Sequence, residues 1–513
     1  MSKHHTESPR IHHLKLLAIF GDHMVLQQDV PLLIWGHAAP AEVIEVSFGG
    51  QIQRGNADEQ GRWQVTLAPE PAETCGRAFR VTASSGTVEY TDVVVGDVWL
   101  ASGQSNMEFG LQTDAEAAQA ISGATDTRIR MFFVPWATSF LPCEDFGAAV
   151  NALDGRWVIC SPETMADTWA WHGFSAVAYF FGKDIACRTG TPIGLIGAYK
   201  GATRVQAWMS LAGLAKEPPF ARHILNYARN ILDNGTAKAQ PAPMSEEDCN
   251  RPTVLFNGMI APLRRYALRG VLWYQGESNG GNLTDALEYD GLFPRLIEDW
   301  RAQWETDTMA FLYVQLANFR APAKHPCEGN WPWIREAQRR ALRLPRTAMA
   351  VAIDAGDDDD IHPTRKRIIG RRLAAAARCV VHGDDIVFSG PDYRGLEITG
   401  GRIRLSFMHI GSGLIAGKPG ARNESNPVQP LTGFAIADAG HRFVWAEARI
   451  EGDNVVVWND GIRHPVAVRY NWADNPDGNL YNREGFPASP FRTDDWPAVS
   501  SSDATLSGVE RAS

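Results

Sequence analysis

Three short stretches carry residue types able to perform nucleophilic acyl transfer. The first is Gly103-Gln104-Ser105-Asn106-Met107. A serine at a strand-to-helix turn can point its hydroxyl into a crevice, and the first helical N–H groups stay free for an oxyanion. Ser is also a favoured helix N-cap, so the turn alone leaves both roles open. The second stretch is Gln275-Gly276-Glu277-Ser278-Asn279. The amides of Gln275 and Asn279 can donate to developing negative charge, and Glu277 can orient a neighbour or balance Arg204. A polar loop held by its own hydrogen bonds would read the same way. The third is Asp357-Asp358-Asp359-Asp360-Ile361-His362-Pro363. An imidazole beside a carboxylate supplies a general base and its orienter. The same acids could form a solvated loop. A calcium loop is less well matched, because the EF-hand Gly and Glu positions are missing.

Each stretch follows a run that reads as a buried strand. TDVVVGDVWLAS precedes Ser105, RGVLWYQ (269–275) precedes Glu277, and TAMAVAID (347–354) precedes the acidic run. TPIGLIGAY (191–199) and MAFLYVQLA (309–317) are similar. Continuous apolar runs of this length fit strands covered on both faces. FSAVAYFFGKDIACR (174–188), WIREAQRRALRL (333–344) and RKRIIGRRLAAAARCVV (365–381) read as helices between or after them. This alternation predicts an α/β domain at 91–385, with a parallel sheet and its ligand site beyond the carboxyl ends of the strands. Short alternating runs such as PLLIWGHA and GRWQVTLAP predict a small β-sandwich-like domain at 13–90. GGRIRLSF, GFAIADAG and PVAVRYNWAD predict a C-terminal β domain at 386–498. Residues 1–12 and 499–513 read as flexible tails, and 235–252 as a surface loop.

The composition narrows the class. The chain has 513 residues, 44% hydrophobic and 21% charged, with a formal net charge of −10. That is an ordinary globular balance without the basic face needed to bind nucleic acid or an anionic membrane. The seven Cys are scattered with no CxxC pair, and read as reduced structural thiols. The paired His near the start read as a solvated tail rather than a metal site. The start is polar, and the run Leu14–Phe20 is too short to span a bilayer and lacks a small-residue cleavage site after it. The expectation is a cytoplasmic protein, or a periplasmic or secreted one if the chain was trimmed from a precursor. The 17 Trp fit sugar stacking and core packing equally.

GQSN at Ser105, a Gly in a second block (Lys200-Gly201-Ala202-Thr203), WYQGES and DIHP together resemble the SGNH hydrolases. More closely they resemble the sialate O-acetylesterase group of carbohydrate esterases. FGDHMVLQQDVPLLIWGHA near the start and NLYN-to-PFRTD near the end extend the similarity over nearly the whole chain. The resemblance implies a three-layer αβα SGNH fold with a central parallel sheet, flanked by small antiparallel β domains. It implies Ser105 as nucleophile and His362 as base. The local DIHP match selects Asp360 as the acid, whereas the superfamily's D-x-x-H spacing selects Asp359. The oxyanion hole would use the N–H groups of Ser105 and Gly201 and a side-chain amide. The G-x-N-D third block of the superfamily is replaced here, so Gln275 is the preferred donor and Asn279 the reserve. Gln104, Asn106, Arg204, Glu277 and Asn279 would contact substrate, and Gln206 and Trp208 could line the pocket, although Trp208 fits core packing as well. No metal and no organic cofactor is implied. The substrate would be an O-acetylated sugar or oligosaccharide of the sialate type, with acetylated xylan or xyloglucan as the alternative. A non-catalytic carbohydrate-binding protein is the competing class.

Overall fold

The computed structural model describes residues 13–166, 171–234, 248–417 and 430–498. The tails expected at 1–12 and 499–513 lie outside them, as does most of the expected loop at 235–252. Among the described residues, an 11-stranded sheet is organised around one long strand, Gly86–Gly103. Its first part pairs antiparallel with Glu73–Ala83. Its last part lies between Ile193–Tyr199 and Gly270–Tyr274, parallel to both. The burial along this strand changes with its surroundings. Residues 86–92 are exposed or half-buried, and every residue from Val93 on is buried. One strand therefore crosses residue 90 without a break and serves both the N-terminal segment and the central sheet.

The parallel ladder continues through Ile129–Phe133 on one side and through Ala310–Gln315 and Thr347–Val351 on the other. Trp157–Ile159 closes one edge in the antiparallel sense. Trp99 is level with Gly270 on the neighbouring strand. It packs edge-on against Phe181 of helix Ala176–Thr189, centroids 4.9 Å apart. Trp273, three residues beyond Gly270, points to the opposite face. There it meets Trp300 of helix Leu283–Gln303 at 5.7 Å. Helices thus cover both faces, and the architecture is a three-layer α/β sandwich with small antiparallel sheets at its flanks. Leu32–His37 lies between Lys15–Leu16 and Arg62–Leu67. Toward the C-terminus, Asp392–Thr399, Arg402–Met408, Asn454–Trp458 and Glu447–Glu451 form a four-stranded sheet.

Two cores result. One runs continuously from Leu14 to Ala377, and a separate one joins residues between Ile403 and Phe491. After Gly86–Gly103 the chain builds Ile129–Phe133 and Ile193–Tyr199 on one side, then crosses to Gly270–Tyr274 on the other. The direction of winding reverses there. A crevice opens at such a point beyond the carboxyl ends of the strands. No helix among the described residues is long and apolar enough to cross a membrane. None of the seven Cys forms a disulfide. Cys143, Cys160 and Cys249 are buried, whereas Cys75, Cys187 and Cys327 are exposed, so a purely buried role does not cover them all.

Candidate active site

Ser105 opens the short helix Ser105–Glu108, immediately beyond the long central strand. The turn depends on Gly103. Its φ is +136°, and a β-carbon there would come within 2.1 Å of the Tyr274 carbonyl oxygen. Only glycine lets the strand end lie so close to its neighbour. Gln104 N–H donates to that same Tyr274 oxygen at 3.0 Å, and Lys200 N–H donates to Gly103 O at 3.1 Å. Three strand ends are thereby gathered around the serine.

His362 reaches Ser105 from the loop after Thr347–Val351, with Nε2 3.0 Å from Oγ. Its Nδ1 lies 3.4 Å from Asp360 Oδ1, and the same oxygen accepts the His362 backbone N–H at 2.8 Å. Asp359 has no contact with the imidazole. Its own N–H donates to Asp357 Oδ1 at 3.2 Å. The Asp360 side chain is 60% exposed, so its hold on His362 is weakened by solvent. Trp171 stands edge-on to the imidazole at 4.8 Å. Burial, followed by the charge of Lys366, holds the imidazole pKa below its ordinary value, with Asp360 opposing them.

The expected oxyanion donors differ in availability. Ser105 N–H is in the first helical turn, where no intrahelical acceptor exists. Gly201 lies against Ser105, since a β-carbon on it would approach Ser105 Cβ to 3.4 Å. Its N–H donates to Glu108 Oε2. Burial pushes Glu108 up to about 7, against the opposing effects of Lys200 and that hydrogen bond. Ala202, next to Gly201, takes φ +59° in the left-handed region that favours glycine. Gln275 keeps no amide hydrogen for an oxyanion. Its Nε2 donates to Thr203 O at 3.1 Å and to Asn279 Oδ1 at 2.8 Å. Asn279 has one amide hydrogen engaged. Its Oδ1 also accepts from Val205 N–H at 3.0 Å, and its Nδ2 donates to Gln206 Oε1 at 3.3 Å. These two amides brace the loops around the serine. Gln104 is different. Its Oε1 accepts from the backbone N–H groups of Gly276 (3.3 Å) and Ser278 (3.2 Å). That fixes the amide so that Nε2 points the other way.

Asn106 and Glu277 are both buried and bonded to each other, Nδ2 to Oε1, at 2.6 Å. Arg204 does not balance Glu277. Its guanidinium lies 3.5 Å from Asp285, which also takes Arg222 at 2.8 Å. Burial alone would raise the Asp285 pKa. The hydrogen bonds from Arg222 and Asn282 and the charges of both arginines outweigh it and keep the carboxylate ionised. Trp208 is fully buried, with its Nε1 on Thr203 Oγ1 at 3.0 Å, and belongs to the core. Among the described residues no three His, Cys, Asp or Glu side chains group as they would around a metal ion.

Lys366 was not singled out by its sequence context, where Arg365–Arg367 reads as balance for the four Asp. The structure turns it inward, with Nζ on Asn106 Oδ1. A helical period carries the signal: Lys366, Ile369, Gly370, Leu373 and Ala377 fall on one buried face.

The chain is similar to known carbohydrate esterases. The family described as "Carbohydrate esterase, sialic acid-specific acetylesterase" matches residues 95–379. The sialate O-acetylesterase of Mus musculus is 31% identical over 448 residues, covering 75% of this chain and 77% of that protein. The Homo sapiens protein of that name is 31% identical over 405 residues, covering 72% and 71%. A solved structure of a carbohydrate acetylesterase from Xanthomonas citri superposes with a TM-score of 0.81 at 38% identity. The match covers 94% of this chain and 100% of that one.

Proposed function

Because this chain belongs to the sialic acid-specific acetylesterase family of carbohydrate esterases, we propose that it removes acetyl groups from O-acetylated sugars through Ser105. The observation that carries this is the 3.0 Å approach of His362 Nε2 to Ser105 Oγ at the winding reversal of the sheet. Ser105 Oγ attacks the acetyl carbonyl while His362 takes its proton. The tetrahedral oxyanion is held by the N–H groups of Ser105 and Gly201. The Gly201 N–H donates to Glu108 Oε2, so the oxyanion takes that donor over from the Glu108 carboxyl. His362 then protonates the departing sugar oxygen, activates water against the acetyl-enzyme and releases acetate. Asp360 orients the imidazole. Gln104, Asn106, Arg204, Glu277 and Asn279 shape the substrate site, with Gln275 in support. The chemistry belongs to segment 91–385, and segments 13–90 and 386–498 frame it.

Acetate release from 4-nitrophenyl acetate and acetylated sugars tests the assignment. Ser105→Ala and His362→Ala should each lose about a thousandfold or more in kcat. Asp360→Asn should cost less, because its contact is longer and more exposed. Undiminished turnover in Ser105→Ala would remove the nucleophile. Glycan binding by a protein that a fluorophosphonate never labels would favour the non-catalytic class. One observation favours a neutral substrate such as acetylated xylan or xyloglucan over a sialate. Arg204, the cation best placed for a sugar carboxylate, already faces Asp285. Ranking kcat/KM over acetylated sialic acid, xylan and xylooligosaccharides decides between them.

A further inference from the structure

Lys366 begins the helix Lys366–Val380 and is 1% exposed. Both facts are unfavourable in isolation. A cation at a helix N-terminus opposes the helix dipole, and a buried ammonium loses its hydration. Its surroundings show what offsets this. Nζ donates to Asn106 Oδ1 and lies 4.5 Å from the ring centre of Phe109 and 5.6 Å from that of Tyr274. Because the ammonium needs an acceptor, it fixes which end of the Asn106 amide faces it. The other end, Nδ2, then donates both its hydrogens, to Glu277 Oε1 at 2.6 Å and to the Ile361 carbonyl at 3.0 Å. The Ile361 carbonyl belongs to the peptide whose N–H is that of His362. That N–H is held in turn by Asp360 Oδ1. The peptide entering His362 is thus held on both its polar sides, and one of those holds begins at Lys366.

We infer that Lys366 is a positioning residue for the base: through Asn106 it fixes the peptide that carries His362. The inference rests on His362 being the base. The charged groups facing the imidazole are Asp360 from its own loop and Lys366 from the following helix. Those facing Lys366 are Glu277 beyond strand Gly270–Tyr274, Asp114 from the turn after Leu111–Thr113, and Asp360. Asp114 Oδ2 also accepts the Lys366 backbone N–H at 2.9 Å. Glu277 Oε2 is buried with no hydrogen-bond partner, and burial raises the Glu277 pKa, opposed first by the Asn106 hydrogen bond and also by the Lys366 charge. Burial pulls Lys366 down to about 7, with Glu277, Asp114 and Asp360 opposing.

The sign of the effect follows. A positive charge near an imidazole disfavours the imidazolium. Removing it lets His362 keep its proton to higher pH, and a protonated His362 cannot act as base. The acid limb of the kcat/KM profile should therefore move upward by about one unit in Lys366→Met. kcat should fall about a hundredfold through the loosened loop, with KM little changed. Lys366→Arg keeps the charge but not the fit to Asn106, so its limb should stay in place while kcat drops. Lys366→Met combined with Glu277→Gln removes both buried charges. That pair relieves the folding cost of an unmatched carboxylate and should keep the upward shift. Profiles for 4-nitrophenyl acetate from about pH 5 to about pH 8, with thermal unfolding of each variant, read all of this. Acid limbs of Lys366→Met and of the double variant that coincide with the parent protein's would overturn the inference. Ser105→Ala and His362→Ala, measured alongside, separate the two levels. If they are inactive while the Lys366 limbs do not move, only the role of Lys366 fails. If they remain active, the assignment of the base fails first.

Discussion

Glu108 shows how much a single buried group near the serine can weigh on the fold. Its carboxyl is pushed up to about 7 by burial, from an ordinary 4.5. The folded protein therefore binds this proton more tightly than the unfolded chain does. Below about pH 4.5 both states are protonated and the group contributes nothing to the pH dependence. As pH rises from there to about 7, the unfolded state ionises first and stability falls, by about 3 kcal/mol in all. Above that the loss is constant. Glu108→Gln keeps an acceptor for the Gly201 N–H and has no proton to lose. It should melt higher than the parent protein at about pH 8, and the two should converge near pH 4.5. Equal melting temperatures at both pH values would show that Glu108 is not strained toward its neutral form. Residue identities at this scale were only partly legible beforehand. Ser105 and His362 carry their chemistry in their type. Lys366 and Glu108 gain theirs from burial, and in sequence they are an ordinary basic residue in a basic run and an ordinary acid.

Strands and helices were legible where both faces are buried, because a continuous apolar run leaves few other readings. Ile193–Tyr199, Gly270–Tyr274, Ala310–Gln315 and Thr347–Val351 all sit inside the expected runs. Ile129–Phe133 was hidden by its buried Arg130, whose guanidinium is neutralised by the distant Asp92 at 2.9 Å. Helix Leu283–Gln303 was hidden by Pro294, a residue that normally breaks a helix. The acidic loop was legible as a cluster but not as a division of labour. Asp360 faces His362, whereas Asp358 Oδ1 accepts from Asn475 Nδ2 at 2.6 Å, 117 residues away in the chain. Asn475 Oδ1 accepts from Asn318 at 2.9 Å, and Asn318 Oδ1 accepts from Gly356 N–H at 2.8 Å. Arg335, fully buried, secures the same turn through the Ala473 (2.6 Å) and Asp474 (2.8 Å) carbonyls. A turn from the C-terminal β segment thereby buttresses the loop that carries His362. Asn475→Ala should cost about 1–3 kcal/mol of stability for the unpaired partners. It should also lower kcat more than it changes KM, since the loop moves and the substrate contacts do not. A stability loss with kcat intact would confine Asn475 to the fold.

Across the whole molecule the charge balance bears on which sugar is turned over. The formal net charge is −10, and it is not offset at the site by a free cation from Arg204, which faces Asp285. A protein of like sign repels an anionic substrate at long range, and salt screens that repulsion over about 10 Å. A neutral acetylated xylooligosaccharide feels neither effect. For an O-acetylated sialic acid, kcat/KM should therefore rise as sodium chloride is raised from about 0.01 M to about 0.5 M. For the neutral sugar and for 4-nitrophenyl acetate it should stay level. The neutral ester also serves as the control, because any salt effect on the fold or on His362 would appear in it too. If sialate turnover instead fell with salt while the neutral substrates held steady, attraction would dominate at the site. Arg204 and Arg222 would then outweigh Asp285 in the field the substrate meets. In that case Arg204→Ala should remove the salt dependence together with the preference for the anionic sugar.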